Sequence, residues 1–506
     1  MSLRIGIDVG GTNTDAVLLD AEARVLAWTK TPTTEDPVEG IRGALAAVVP
    51  ADPDEVGSVA LGTTHALNAL LRRSGLGRVA VLRLAGPASR SVPPFAGWPA
   101  ALRSAIEAGA TIVDGGVEID GRTHPLDRDR IRIAIEAARG AHAVAITGPF
   151  SLQDPSQERE AGALVREILG EGVGVSLGHE VGGLGLLERE NAAIVNAALG
   201  SVARRVSEAL GRALADLGLR ATPYLTQNDG TMMSIERAVA LPVLTVGSGP
   251  SNSIRGAAAL TGLTEALVID VGGTSTDVGA IAGGFPRESA AGIDLGGVRT
   301  NFRMPDVISV ATGGGTVIEP GGVLGVDSVG HRLTTRALVF GGDTPTLSDA
   351  AVAAGRASMC QPSLLGERSW SAALAEAERR VADALDRMKV ARGDVPVIVV
   401  GGGSVILPED LPGASHVHRP ERFDVANAVG AAIGLVSGEA DHVADVGEGR
   451  RDGAIEACVS DARSRAVAAG AAAGTVDVVW VDEIPLAYMD RPISRIRAKV
   501  AGPPRS

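Results

Sequence analysis

One eight-residue pattern occurs twice in this chain, as Asp8-Val-Gly-Gly-Thr-Asn-Thr-Asp15 and as Asp270-Val-Gly-Gly-Thr-Ser-Thr-Asp277. Each copy follows an apolar run with strand character, Leu3-Arg-Ile-Gly-Ile and Ala266-Leu-Val-Ile, so each predicts two strands joined by a tight hairpin. Gly10, Gly11, Gly272 and Gly273 allow the backbone to approach an anion closely and aim N–H groups at it. Thr12, Asn13, Thr14, Thr274, Ser275 and Thr276 add polar side chains as phosphate donors. Asp8 and Asp270 offer hard oxygen ligands for a hydrated divalent metal, while Asp15 and Asp277 fix the hairpins or position the attacking group. A single Gly-Gly-Thr is an ordinary surface turn. Two near-identical copies behind buried-strand patterns instead predict two hairpins that face each other and hold a nucleoside triphosphate between two halves of the protein.

Composition removes other classes. At 506 residues the chain is too long for one core and divides into two or three domains. Lys and Arg number 47 against 60 Asp and Glu, a net charge of −13. With a pI near 5.2, this argues against nucleic acid or an anionic membrane as a partner. Aromatic residues are 2%, too few for base-stacking platforms. The only lysines are Lys30, Lys389 and Lys499, none in a Gly-rich loop, which excludes a Walker-type phosphate loop. Cys360 and Cys458 predict neither a disulfide framework nor a zinc site. The chain enters its first strand at Leu3 without a basic leader or signal-type segment, and no run of eighteen apolar residues occurs, so the expectation is a cytoplasmic protein.

Strand and helix patterns alternate along the first half, as in an α/β layer fold. Gly62-Thr-Thr-His-Ala-Leu-Asn-Ala-Leu-Leu71 reads as a strand end opening a helix, with His65 and Asn68 beside the cleft as candidate substrate contacts. Val195, Leu199, Val202, Val206, Leu210, Leu214 and Leu217 recur at helical spacing and predict a long helix over 191–217 that links the halves. Val397-Ile-Val-Val runs into Gly401, Gly402, Gly403 and Ser404, an arrangement suited to a backbone lying flat against a nucleoside. Asn427-Ala-Val-Gly-Ala-Ala-Ile-Gly434 is a run of small residues that permits a close helix crossing, with Ala197, Ala198 and Gly200 as the expected partners of a hinge. The expected domains are residues 1–195, residues 196–438, and a C-terminal segment of residues 439–506 packing back onto the first.

This order of hairpin, crossing helix, hairpin, Gly-rich loop and small-residue helix resembles the actin, Hsp70 and sugar-kinase superfamily. Within it the chain resembles the hydantoinase A and 5-oxoprolinase family. The resemblance also rests on Asp154-Pro-Ser-Gln-Glu158, His179-Glu-Val, Glu188-Arg-Glu-Asn-Ala-Ala-Ile-Val-Asn196, Gln227-Asn-Asp-Gly230, Ser248-Gly-Pro250, Gly313-Gly-Gly-Thr316, Leu347-Ser-Asp349 and Glu483-Ile-Pro-Leu-Ala-Tyr488. His65 departs from the small or aliphatic residue usual in the family. Gly325-Val-Asp-Ser-Val-Gly-His-Arg-Leu replaces a Cys-containing run of longer members, and the chain stops before the hydantoinase B-like half of complete oxoprolinases.

The resemblance implies a two-domain actin-like ATPase fold of duplicated ribonuclease H-like α/β domains with a nucleotide cleft between them. It implies ATP and Mg2+ as cofactors, a small cyclic amide as substrate, and a hydantoinase B-like partner subunit; a homo-oligomer is compatible with it. Asp8, Asp270 and Asp15 are then catalytic candidates, with Asp8 and Asp270 on the metal. Glu190 is added because related ATPases keep a carboxylate near the attacking group, although a helix N-terminus attracts acids for its dipole alone. The implied reaction is ATP-driven phosphorylation of a cyclic amide carbonyl oxygen to drive ring opening. Alternatives are a ketone carboxylase subunit and a nucleotide-gated, chaperone-like reactivating ATPase.

Overall fold

A computed structural model describes residues 3–34, 37–86, 89–119, 121–289, 292–358, 365, 370–486 and 491–505. Cys360 and Tyr488 lie outside the described residues. Both hairpins form where the repeats predict them. Leu3–Val9 pairs antiparallel with Asn13–Leu19, and Ala266–Val271 with Thr276–Ala282.

Each hairpin seeds a separate sheet. The first sheet has nine strands in the order Asp477–Pro485, Ile493–Gly502, Val436–Asp445, Met232–Ser234, Thr222–Thr226, Val56–Thr63, Leu3–Val9, Asn13–Leu19, Val25–Pro32. The second orders Phe285–Pro286, Thr276–Ala282, Ala266–Val271, Val395–Val400 and Ala414–His418, with Val307–Val310 also pairing on Thr276–Ala282. A third sheet of four parallel strands, Glu107–Asp114, Val79–Gly86, Ala143–Thr147 and Gly174–Leu177, stands apart from both. The first sheet thus draws strands from three stretches of chain, before residue 64, around residues 222–234, and beyond residue 436. The expected boundary at 195 and 196 falls inside a continuous helix, Leu186–Asp216.

That helix begins earlier than its apolar spacing predicts, so Glu188, Glu190 and Asn191 lie within it rather than ahead of it. Its Val195, Leu199 and Val202 enter the core of the parallel sheet, and Val206, Leu210 and Leu214 enter the core under the first hairpin. It therefore joins the parallel-sheet unit to the first sheet, not the two hairpin-bearing halves.

The halves meet through two other helices, Ser248–Thr261 and Ala426–Ala432. A Cβ on Gly430 would stand 1.9 Å from the Asn252 carbonyl oxygen, and one on Gly256 would stand 1.8 Å from that of Ala426. The small-residue run does serve a close crossing, but against Ser248–Thr261. Ala197, Ala198 and Gly200 are not its partners, and the Ala198 carbonyl instead accepts from the Gly77 amide at 2.8 Å. On one side of the crossing, Val425, Ala428, Val429 and Ala432 pack on Val17 and Leu19 of the first sheet. On the other, Ile254, Ala257 and Ala258 pack on Val268, Ile281, Ile398 and Val400 of the second. Among the described residues, no helix is long and apolar enough to cross a membrane.

Candidate functional site

Near-identical local sequence gives the same turn. The Gly10 amide donates to the Asn13 carbonyl at 2.9 Å, and the Gly272 amide donates to the Ser275 carbonyl at 2.9 Å. The registers match as well, with Asp8 opposite Asp15 and Asp270 opposite Asp277. Residues directly opposite share a sheet face, so each hairpin carries its two carboxylates side by side. The hairpin tips approach each other, since a Cβ on Gly273 would stand 3.0 Å from Thr12 Oγ1.

Two further glycine strips wrap the second hairpin. Gly314 and Gly315 amides donate to the Gly272 and Gly273 carbonyls at 3.0 and 2.7 Å, and the Gly403 amide donates to Val271 at 2.8 Å. Gly401 has φ +86, and a Cβ there would stand 2.2 Å from Asp270 Oδ1, so only glycine fits. Ser404 is buried in the turn that follows. From the Leu347-Ser-Asp349 motif, Ser348 Oγ donates to the Gly314 carbonyl at 2.9 Å and Asp349 caps its own helix.

The crossing helices supply side chains that the sequence did not single out. Asn252 Nδ2 donates to Asp8 Oδ1 at 3.3 Å, and its neighbour Ser253 Oγ donates to Asp270 Oδ2 at 2.6 Å, so one turn of helix touches both hairpins. Asn427 Nδ2 donates to Asp8 Oδ2 at 2.9 Å. Lys30 Nζ lies 2.8 Å from both oxygens of Asp15 and 2.8 Å from the Asp424 carbonyl. Three-residue spacing rules give no signal for such contacts, because each partner comes from a distant strand or helix.

Burial dominates the electrostatics. Asp8 is 3% exposed, and burial, then the charges of Asp15 and Asp270, push its carboxyl up to about 7. Burial raises Asp15 and Asp270 as well, opposed at Asp15 by the Lys30 ammonium and at Asp270 by the Ser253 hydroxyl. Asp277, bonded by Ser309 Oγ at 2.5 Å, is pushed up by burial to about 6.

The phosphate-donor candidates divide into two groups. Thr12, Asn13 and Ser275 are half-buried and Thr274 is exposed at the tips. Thr14 and Thr276 are fully buried, and their hydroxyls are taken by Thr33 Oγ1 at 3.3 Å and the Thr312 carbonyl at 2.6 Å. Thr14 and Thr276 brace the hairpins and do not point donors at a ligand.

His65 opens the helix His65–Arg72, where its Nδ1 meets Thr63 Oγ1 at 2.5 Å. Burial and the Arg205 charge hold its imidazole below the usual range. Asn68 Nδ2 donates to Thr64 Oγ1 at 3.2 Å. This turn adjoins the carboxylates, because Gly62 pairs with Asp8 in register and Ser248 Oγ donates to the Thr63 carbonyl at 3.3 Å.

Glu190 is a correction. Both its oxygens bind the buried Arg83 guanidinium, at 2.7 and 2.6 Å, and Glu190 is 1% exposed. A carboxylate closed off from solvent, with both oxygens held by a guanidinium, is a structural ion pair and not a base open to an attacking group. The other motifs nearby are also structural. Glu158 accepts from the Gly148 amide, the His179 amide and His179 Nδ1, tying together two strand ends of the parallel sheet. Asn228 holds the entry to Ser248–Thr261 by accepting from the Gly247 amide at 2.7 Å.

No group of three or more His, Cys, Asp or Glu side chains forms a metal cage among the described residues. The residues present fit a hydrated cation all the same. The charges of Asp15 and Asp270 raise the Asp8 carboxyl, a repulsion that a divalent ion would relieve, and buried Asn252 Oδ1 beside Asp8 has no hydrogen-bond partner. Such an ion takes one or two carboxylates, with water and phosphate oxygens completing its shell.

Known proteins resemble this chain in sequence and in fold. Residues 4–169 match the hydantoinase/oxoprolinase N-terminal region, and residues 189–359 match hydantoinase/oxoprolinase. Caprolactamase subunit alpha of Pseudomonas jessenii is 29% identical over 479 residues, covering 85% of this chain and 65% of the relative. The acetophenone carboxylase gamma subunit of Aromatoleum aromaticum is 28% identical over 395 residues, covering 69% of this chain and 53% of the relative. The chain thus spans about half to two thirds of these relatives' length. The crystal structure of the ATP-dependent caprolactamase from Pseudomonas jessenii superposes with a TM-score of 0.77 at 22% identity, over 99% of this chain and 88% of that one. Nucleotide-free acetone carboxylase superposes with a TM-score of 0.70 at 17% identity, over 99% and 88%. The fold is the two-lobed, actin-like α/β arrangement, and the chain belongs to the hydantoinase/oxoprolinase family.

Proposed function

We propose that this chain binds ATP between its two hairpins and phosphorylates the carbonyl oxygen of a small cyclic amide, of hydantoin or 5-oxoproline type, so that the ring can open. The observation that carries this reading is the approach of Gly273 to Thr12, which brings together the tips of two matching hairpins, each with its own pair of carboxylates. An unstrained amide carbon is a poor electrophile, and a phosphoryl group on its oxygen supplies both activation and a leaving group. Catalysis of that transfer is mostly positioning and charge neutralisation. The amides of Gly10, Gly11, Gly272 and Gly273 serve the phosphates, and the Gly401–Gly403 turn lies against the nucleoside. Asp8 and Asp270 would hold Mg2+, which when bound neutralises phosphate charge. The turn at Thr63, Thr64 and His65 adjoins Asp8 and is the substrate side, with His65 and Asn68 as contacts.

The relatives are named as subunits. On that ground we propose that a hydantoinase B-like partner completes ring opening and that the chain alone hydrolyses ATP slowly. The acetophenone carboxylase relative supports a second reading, in which the phosphoryl acceptor belongs to ketone carboxylation. The test is phosphate release and product formation from purified chain, ATP and Mg2+ with 5-oxoproline, a hydantoin, caprolactam, or acetophenone plus bicarbonate. Phosphate release stimulated by a cyclic amide supports the first reading, and stimulation only by the ketone supports the second. Fast stoichiometric ring opening by the chain alone removes the partner, and no ATPase with any acceptor revives the nucleotide-gated binding class.

A further inference from the structure

We propose that Lys30 is the cation that reads the phosphate charge of the nucleotide, held ready by Asp15. This rests on the nucleotide-cleft reading above and names a residue that the glycine-loop pattern does not contain. Asp8, Asp15 and Lys30 stand in register across three adjacent strands, so their side chains share one sheet face. The corresponding row in the second sheet is Asp270, Asp277 and Ser309, with no cation. The pseudo-symmetry of the two hairpins is broken at this position by one positive charge.

The ammonium sits where three segments meet. Two of its bonds go to Asp15, and a third goes to the Asp424 carbonyl in the turn leading into Ala426–Ala432. The end of the side chain lies beside the Gly-rich turn, since a Cβ on Gly402 would stand 3.4 Å from Lys30 Cε and 3.9 Å from Nζ. The side chain is 24% exposed, so a ligand in the cleft can reach it. The other two lysines are committed elsewhere. Lys389 lies beside Asp386, and Lys499 is enclosed by Asp229, Glu288 and Glu439.

A Lys ammonium has three rotatable donors on a flexible stem, and the Asp424 carbonyl is the one uncharged partner of the three. A phosphate oxygen entering beside Gly402 displaces that carbonyl and gains a charge-assisted bond, while Asp15 keeps the ammonium from swinging away. A contact between lobes is thereby exchanged for a contact to nucleotide.

Titration calorimetry of the full chain with ATP, ADP and adenosine, all with Mg2+, tests this in four proteins: the parent, Lys30→Met, Lys30→Arg, and Lys30→Met combined with Asp15→Asn. The double variant leaves no unpaired carboxylate, so it remains informative if Lys30→Met alone folds poorly. The expectation is a loss of about tenfold or more in ATP and ADP affinity for both Met-containing variants. Adenosine binding stays unchanged, and Lys30→Arg recovers most of the loss. Parent-like ATP affinity in the double variant overturns the proposal, as does an equal loss for adenosine, which would make Lys30 a shaper of the cleft. A parent that binds no nucleotide defeats the cleft reading itself and this inference with it.

Discussion

The first hairpin and the second share a turn, a register and a pair of carboxylates, and they differ in what the third strand and the crossing helices bring. Beside Asp15 stands Lys30, whereas beside Asp277 stands Ser309. Over Asp8 lie two amide side chains, Asn252 and Asn427, and at Asp270 lies one hydroxyl, Ser253. Eight residues of sequence suffice to repeat the backbone because the turn is closed by its own hydrogen bonds. The charge state of the carboxylates is set by non-local neighbours, which the repeat does not copy.

The largest test of this comparison is removal of one charge from each hairpin. Asp8 is the more deeply enclosed carboxylate and the one adjoining the turn we propose as the substrate side, so Asp8→Asn is expected to lower ATP turnover by about a hundredfold or more. Asp270→Asn, at a half-buried position, is expected to cost about tenfold. Steady-state phosphate release at saturating Mg2+, with thermal unfolding as the folding control, measures both. Equal losses would show that the hairpins act symmetrically and that the distinction drawn between them has no functional weight.

Next comes the backing of each hairpin. A Cβ on Gly6, in the first, would stand 2.1 Å from the Ala428 carbonyl oxygen, a backbone atom of the crossing helix. One on Gly279, in the second, would meet Ile254 Cδ1 at 2.6 Å, the end of a side chain that can rotate. Gly6→Ala is therefore expected to destabilise by about 3 kcal/mol and Gly279→Ala by about 1 kcal/mol. Gly430→Ala, facing the Asn252 carbonyl, belongs with the larger loss, and Gly430→Leu exceeds it. Denaturant midpoints read these values, and equal costs at Gly6 and Gly279 would mean that the crossing helices yield as easily as a side chain.

Much of this was legible in the sequence. The hairpins, the glycine strips and the long helix follow from short-range patterns, in which spacing alone decides strand, turn or helix. Lys30 was passed over because it lies outside any glycine loop, and only strand register puts it beside Asp15. Glu190 was selected by its place near a helix start, but its partner Arg83 lies 107 residues earlier, on the strand Val79–Gly86 of the parallel sheet. The crossing partner of Gly430 was misassigned for a related reason. Small residues announce that a helix is approached closely without saying by what, and both Leu186–Asp216 and Ser248–Thr261 carry enough of them.

The smallest expected effect bears most directly on the third strands. Asp277 has its carboxyl raised from 3.8 to about 6, so the folded state binds its proton more tightly than the unfolded chain does. Its contribution to stability is fully present below about pH 4 and is lost as pH rises through about 6. Asp277→Asn keeps the shape and cannot ionise, so it should match the parent near pH 4 and exceed it at pH 8. Since Asp277 is only half-buried, the gain is put on the order of 1 kcal/mol rather than the full linkage value. Burial raises Asp15 in the same direction, but the Lys30 ammonium offsets it, and Asp15→Asn also strips Lys30 of its partner. Asp15→Asn should therefore show a smaller gain at pH 8, or a loss. Thermal unfolding of both variants at pH 4 and pH 8 separates the cases: the same gain for both would mean that Lys30 does not stabilise the Asp15 carboxylate, and that the third strands make no electrostatic difference between the hairpins.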